Sequence, residues 1–341
     1  MAKEHDCAGM LVVLWTGLGD VITSLPAVRA LRERYPAARV ALMGAAPLAA
    51  LLRDTVAFGD FAPLDMRLLT GNRDRLPEED RRRLAGFLRD GGFDLVVSFP
   101  SSAALGASAR EAGARYLEFS NVADPPVEAV ERALELARLA GADTADRIPR
   151  IVVGEAARRR ADRFLREHDL AGRPAAGLHP GGSHAGKRWP ASSFAAAGNA
   201  IARRYGARIV LFEGPADRDA AEEVRAGLDA APVDVRGVDL AELAALLART
   251  AFLLCNDSGP MHLAAAVGTP VVAIFGHSDP LNWGPCGDRH EIVRRAVPCG
   301  PCPPETARAC PTAECVRGVT VDDVLAGVEA LVRRRPGCFP A

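Results

Sequence analysis

The sequence predicts an α/β protein built from two Rossmann-like, doubly wound domains. Three observations predict it. Short apolar runs alternate with amphipathic stretches, the alternation breaks near residue 170 and starts again, and glycine-bearing loops follow several of the apolar runs. Strands alternating with helices imply parallel sheets made of right-handed βαβ units.

Residues 10–15, 39–43, 93–99 and 114–119 are short apolar runs that read as buried strands. Between them, residues 21–35, 78–90 and 127–140 carry helical periodicity. A helix over 155–168 is followed by Gly172 and Pro174, which read as the break between halves. Beyond it, strands at 175–179, 207–212, 233–236, 252–255 and 271–275 alternate with helices at 193–205, 218–228, 240–248 and 261–267. A last amphipathic helix spans 321–334. The expected domains are therefore 1–170 and 171–318, with 319–341 a terminal helix that can pack back on the first domain. Two such domains are expected to face each other across a cleft, with ligands outside the carboxyl ends of the strands.

A chain of 341 residues suits two domains better than one. Its formal net charge of −1, from 42 basic and 43 acidic residues, gives no global field for capturing nucleic acid. Arginines do cluster at 81–83, 158–160 and 333–335, on helices or helix ends, and read as solvated faces. No basic leader with a small-residue cleavage site is expected at the start, and no apolar stretch reaches the ~18 residues of a membrane span. The reading is a cytoplasmic protein, with peripheral membrane contact left open. In that compartment the eight cysteines point to free thiols or metal ligation rather than disulfides.

Five motifs carry chemistry. The first, Thr16-Gly17-Leu18-Gly19-Asp20, follows the first strand and opens a helix. It lacks the third glycine of a dinucleotide fingerprint. Asp20 can cap that helix, or act as a general base toward an attacking hydroxyl; residue type alone favours the cap. The second runs from His179 through Pro180-Gly181-Gly182-Ser183 to Lys187-Arg188-Trp189-Pro190. Glycines followed by a lysine at a helix entrance suit a pyrophosphate, with Lys187 as the point charge.

The third is Asn256-Asp257-Ser258-Gly259-Pro260-Met261-His262. Here Asp257 or Ser258 can cap a helix whose free N–H groups cradle a diphosphate, and Asp257 can accept from sugar hydroxyls. The fourth, Glu213-Gly214-Pro215-Ala216-Asp217-Arg218-Asp219, formally spells DxD. A ribose-binding acid, Glu213 or Asp217, is the better reading than a Mg²⁺ site. The fifth is Cys299-x2-Cys302-x7-Cys310-x4-Cys315, whose spacing fits an imperfect four-cysteine zinc or iron site of structural kind.

Taken together, these blocks resemble glycosyltransferase family 9, the heptosyltransferases of bacterial lipopolysaccharide synthesis. The resemblance rests on GLGDVITSLPAVRALRERYP, HPGGSHAGKRWP and NDSGPMHLAAAVGTPVVAIFGHSDP, in that order along most of the chain. It implies the GT-B fold and an inverting glycosyl transfer that needs no catalytic cofactor. It also implies Asp20 as catalytic base and Lys187 on the donor phosphate. Gly19, Ser183, Asp257, Ser258, Gly259 and His262 would complete the donor site with Glu213 or Asp217. The implied donor is a nucleotide sugar, ADP-heptose. The acceptor is a hydroxyl of a glycolipid such as the lipopolysaccharide inner core. A protein hydroxyl, a natural product, or the chemistry of a UDP-sugar epimerase-like enzyme of the same fold are the alternatives. Departures from the family pattern are Leu14-Trp15-Thr16, where a basic residue is often seen, and the unaligned ribose acid.

Overall fold

The computed structural model describes residues 7–14, 17–63, 78–118 and 128–335. Trp15 and Thr16, Phe119, Val127 and the final residues 336–341, all inside expected elements or blocks, lie outside the described residues. The chain divides into two compact units, Met1–Pro149 and Arg150–Ala341.

The first unit contains β1 (Gly9–Val13), α1 (Leu18–Arg34), β2 (Arg39–Gly44), α2 (Leu48–Leu52) and β3 (Asp60–Pro63). It continues with α3 (Glu78–Asp90), β4 (Leu95–Ser98), α4 (Ala103–Glu111), β5 (Arg115–Glu118) and α5 (Ala129–Leu139). The strands form one parallel sheet in the order β3-β2-β1-β4-β5. β1 and β4 are apolar at nearly every position because helices cover both faces of the sheet. The strand order reverses between β1 and β4, so the loop leaving β1 opens at the sheet's switch point, where α/β sheets take ligands. That loop ends at Gly17, and Gly19 stands in the first turn of α1.

The second unit opens with α6 (Glu155–Glu167), β6 (Ala175–His179), a 3-10 turn at Ala185–Lys187, α7 (Ala191–Tyr205) and β7 (Arg208–Glu213). Next come α8 (Arg218–Gly227), β8 (Val233–Arg236), α9 (Leu240–Leu247), β9 (Phe252–Asn256), α10 (Gly259–Ala266) and β10 (Val271–Phe275). It closes with α11 (Pro280–Trp283), β11 (His290–Arg294), α12 (Pro304–Ala309), α13 (Glu314–Arg317) and α14 (Val321–Arg334). Its parallel sheet runs β11-β10-β9-β6-β7-β8. The switch point here lies between β6 and β9, with His179 level with Cys255. The glycine–lysine loop and the Asn256–His262 block therefore leave adjacent strands side by side.

Two expectations about the domains are corrected. The units meet at Pro149, not near residue 170. Residues 150–169 belong to the second unit because Ile151 N–H donates to Ala266 O at 3.0 Å and Arg160 on α6 bonds Glu242 and Asp239. Gly172, at φ 75°, only makes the turn from α6 into β6. The terminal helix α14 is also an integral part of the second unit. It starts in a Thr320–Asp323 capping box, then buries Val324, Val328 and Leu331 in the core shared with β10, β11 and α7.

The arginine clusters sit on helix surfaces. Arg82 and Arg83 pair with Glu78 and Glu79 one turn back, Arg159 pairs with Glu155, and Arg334 pairs with Glu291. Leu331→Ala should lower unfolding free energy by ~2–5 kcal/mol, the range for truncating a fully buried leucine. Urea unfolding checks it: a drop below ~1 kcal/mol with an unchanged m-value would show that α14 is not anchored as described.

Candidate functional site

The second unit's site is organised by Asn256, the last residue of β9 and fully buried. Its amide Nδ2 donates to the carbonyls of Pro180 (2.9 Å) and Gly181 (3.0 Å), while its Oδ1 accepts from Trp189 N–H at 3.0 Å. One side chain thus ties both ends of the 180–189 loop to the neighbouring strand. Trp189 is fixed again by its indole N–H, which donates to Val319 O at 2.8 Å, and by an edge-on contact with Phe194. It is part of the core.

Held in this way, Lys187 places Nζ 2.6 Å from Asp257 Oδ2. Ser278, in the loop after β10, donates its hydroxyl to the same oxygen at 2.5 Å. Asp257 is 5% exposed, and its own N–H is bound to Ile274 O. A carboxylate this buried is stabilised by a charged partner, so the pair sets the lysine's place before any ligand arrives. Ser258 follows as the N-cap residue of α10 but makes no side-chain cap; its Oγ turns instead toward His179 Nδ1, 3.4 Å away. The first turn of α10 then offers backbone N–H groups and the positive end of the helix dipole beside Lys187.

His179 connects this cluster to the fourth motif. Its Nε2 lies 3.2 Å from Asp217 Oδ2, and the Arg188 guanidinium stands 4.0 Å from the other oxygen. Burial pushes the Asp217 carboxyl up, but the His179 bond and the Arg188 charge bring it below the usual range. Two glycines make room for it. A Cβ on Gly181 would fall 2.2 Å from the Asp217 carboxyl carbon, and one on Gly214 would fall 2.7 Å from Oδ2. Asp217 is therefore turned inward, whereas Asp219 is exposed on α8, so the formal DxD does not present its two carboxylates as one site. Glu213 pairs with Arg225 at 3.0 Å, and Arg225 is held independently by Asp234 at 2.8 Å.

Among the other expected residues, Ser183 is exposed and His262 is buried within α10. Burial pushes the His262 imidazole down to about 4, against the pull of Asp257, so it is neutral near pH 7. Asp20, in the first unit, is the third residue of α1, and the cap position belongs to Gly17, which has no side chain to cap with. The Asp20 carboxylate lies back over that turn: a Cβ on Gly17 would meet Oδ2 at 2.4 Å. Gly19 is inside the same first turn.

The possible structural metal site of Cys299, Cys302, Cys310 and Cys315 is not assembled as a ligand set among the described residues. No three potential ligands among His, Cys, Asp and Glu come together among the described residues. Cys299 and Cys310 are exposed, and the four thiols lie within reach of one another's charge: Cys315 is raised by burial and further by Cys302, Cys310 and Cys299. The segment matters through its backbone. Cys302 N–H donates to His277 O at 3.0 Å, and Gly186 approaches so closely that a Cβ there would be 2.8 Å from Ala307 O. Sequence reasoning gave no role to Asn256, His179 or Ser278. Their signal was position, since each sits at the end of a strand or just after one.

The model of glycosyltransferase family 9 (heptosyltransferase) matches residues 83–312, about two thirds of the chain. The chain belongs to this family. Lipopolysaccharide heptosyltransferase 2 of Escherichia coli K12 is 26% identical over 310 residues, covering 84% of this chain and 87% of that one. Two Haemophilus influenzae heptosyltransferases align over a shorter stretch, and the chain spans 34% and 40% of their lengths. Among solved structures, a family 9 glycosyltransferase from Veillonella parvula has a TM-score of 0.82 at 21% identity, over 98% of this chain and all of that one. E. coli ADP-heptose lipopolysaccharide heptosyltransferase II has a TM-score of 0.77 at 24% identity, over 96% of this chain and 100% of that one. These likenesses agree with the GT-B class read from the sequence.

The buried histidine gives a pH test. An unfolded histidine titrates near ~6.5, so between that pH and about 4 the unfolded chain binds a proton that folded His262 refuses. Stability should therefore fall as pH falls through this window, by about 2 kcal/mol between pH 7 and 5 from this residue. His184, His277 and His290, also lowered by burial, act in the same direction. Urea titrations at both pH values should show a smaller difference for His262→Gln than for wild type; equal differences would mean that His262 is not the buried neutral group described.

Proposed function

We propose that this chain is an inverting glycosyltransferase that moves a heptose from ADP-heptose to a hydroxyl of a lipopolysaccharide inner-core acceptor. The observation that carries the reading is the cluster at the β6/β9 switch point, where Lys187, Asp257, Ser278 and the first turn of α10 converge. Its chemistry suits a sugar diphosphate. Asp257 keeps Ser278 as a donor when Lys187 turns to an arriving phosphate, so the lysine can change partners without leaving a buried oxygen bare. Ser258 and Gly259 then present N–H groups to the diphosphate, Ser183 borders the loop, and Asp257 accepts from sugar hydroxyls. For the ribose, the inward bond of Asp217 to His179 favours Glu213, because Arg225 stays paired with Asp234 if Glu213 turns away.

Asp20 takes the acceptor proton as the hydroxyl attacks the anomeric carbon, and the nucleoside diphosphate departs from the opposite face. Positive charge from Lys187 and α10 counts most in the transition state, where the bridging oxygen gains charge. The reading assigns no step to a metal or other cofactor. No described helix is long and apolar enough to cross a membrane. The reading places contact with a lipid-borne acceptor at the periphery, on the cytoplasmic face of the inner membrane. Arg82, Arg83 and Arg159 each pair with a glutamate one turn away, which lowers the basic charge their clusters offer for that contact.

Calorimetry with ADP, UDP and GDP, without added metal, tests the donor. ADP should bind selectively, and Lys187→Ala should weaken it by about 10- to 100-fold, the value of one charged hydrogen bond. Preference for UDP or GDP would overturn the assignment. For the base, Asp20→Ala should lower kcat by about 10²–10⁴ while ADP binding is kept, measured as ADP release with a heptose-deficient lipopolysaccharide acceptor. Near-normal turnover would remove Asp20 from the mechanism.

A further inference from the structure

The loop after β10 carries a residue the mechanism above does not use. His277 is buried, at 4% exposure, and its Nδ1 lies 3.2 Å from the carbonyl oxygen of Cys302. A carbonyl only accepts, so Nδ1 carries the proton and the neutral ring's lone pair is on Nε2. Cys302 N–H returns a bond to His277 O, which clamps ring and backbone together.

That leaves Nε2 as a fixed, buried acceptor, and it has no partner among the described residues. Nδ1 of His184, whose ring centre lies 5.3 Å from that of His277, likewise has no partner among the described residues. Leaving such a group unmet costs about 1–3 kcal/mol, so an unmet pair in one place calls for a reason. Their location supplies one. His277 immediately precedes Ser278, and His184 stands three residues before Lys187; Ser278 and Lys187 both bind Asp257 Oδ2.

We infer that His277, together with His184, recognises a hydroxyl group of the transferred sugar and so helps to select the donor. The inference rests on the donor reading given above. A lone pair on a neutral imidazole requires a ligand that donates a hydrogen. A diphosphate ionised at neutral pH offers acceptors only, whereas a sugar offers several hydroxyls. The Cys-rich segment contributes through the Cys302 carbonyl, which sets the tautomer.

The test is calorimetric titration of the full chain with ADP and, separately, with ADP-heptose. His277→Asn keeps an N–H near the Nδ1 position for Cys302 and removes the acceptor. ADP affinity should stay within about twofold, while ADP-heptose weakens about tenfold. His277→Gln, which returns an oxygen near the Nε2 position, should recover most of that loss. Should His277→Asn fail to fold, His184→Ala on its half-exposed loop carries the same selective expectation. Equal weakening of ADP and ADP-heptose would overturn the inference, as would unchanged ADP-heptose affinity in the variants that fold. A wild-type protein that binds ADP but gains nothing from the heptose would overturn it while leaving the nucleotide reading intact. Binding of neither ligand would remove the donor reading, and this inference with it.

Discussion

The architecture of the site depends on one buried amide. Asn256 has no charge and makes three bonds to backbone, two to Pro180 and Gly181 and one from Trp189. A loop of glycines would otherwise sample many conformations, and ordering it is entropically expensive. With its two ends tied to β9, the loop has little freedom left. Every other arrangement at the switch point follows: Lys187 reaches Asp257, Gly181 leaves room for Asp217, and His179 bridges Asp217 to Ser258. Only an asparagine both accepts and donates in this geometry; an aspartate would face two carbonyl oxygens with nothing to give.

Charge is then handled by sharing. Asp257 Oδ2 has two donors, and Arg225 has two carboxylates, so in each case one partner can leave without exposing the group that remains. Buried ion pairs are costly to break because they strand a charge. Three-membered arrangements reduce that cost, which suits a site that must exchange protein contacts for ligand contacts. The Asp217–His179 pair is different. It is walled in by Gly181 and Gly214 and reads as framework.

Much of this fold was legible because parallel strands covered on both faces leave continuous apolar runs. β6, β8, β10 and α14 fall where the sequence put them. β11 and β3 were not seen: residues 290–294 bury only Val293, and an edge strand of this kind looks polar. α4 escaped because Ala and Gly along 103–111 give little periodic contrast. Gly172 and Pro174 were read as an interdomain break, although a glycine at positive φ closes a tight turn equally well inside a domain. In the site, Lys187, Asp257 and Ser258 could be named from their blocks, since loop chemistry is local. Partners were not legible. That Asp217 would choose His179, 38 residues away, depends on strand order, which local spacing does not encode. Cysteine spacing likewise named four thiols, but whether they close on one centre depends on the short helices α12 and α13, which spacing does not encode.

The close approaches around the Cys-rich segment have a consequence for engineering. Gly186 faces Ala307, and Gly276 faces Val316 and Cys315 with Gly186 O nearby. The nearest of these contacts are to the Ala307 carbonyl and to the Cβ of Val316, neither of which can make room for an added methyl group by rotating a side chain away. Residues 184–187, 276–278 and 299–318 therefore form one interlocked module drawn from three distant parts of the chain. Grafting any one of them from a relative would bring a surface shaped for a different pair. A chimera is expected to tolerate exchange of all three together far better than exchange of one.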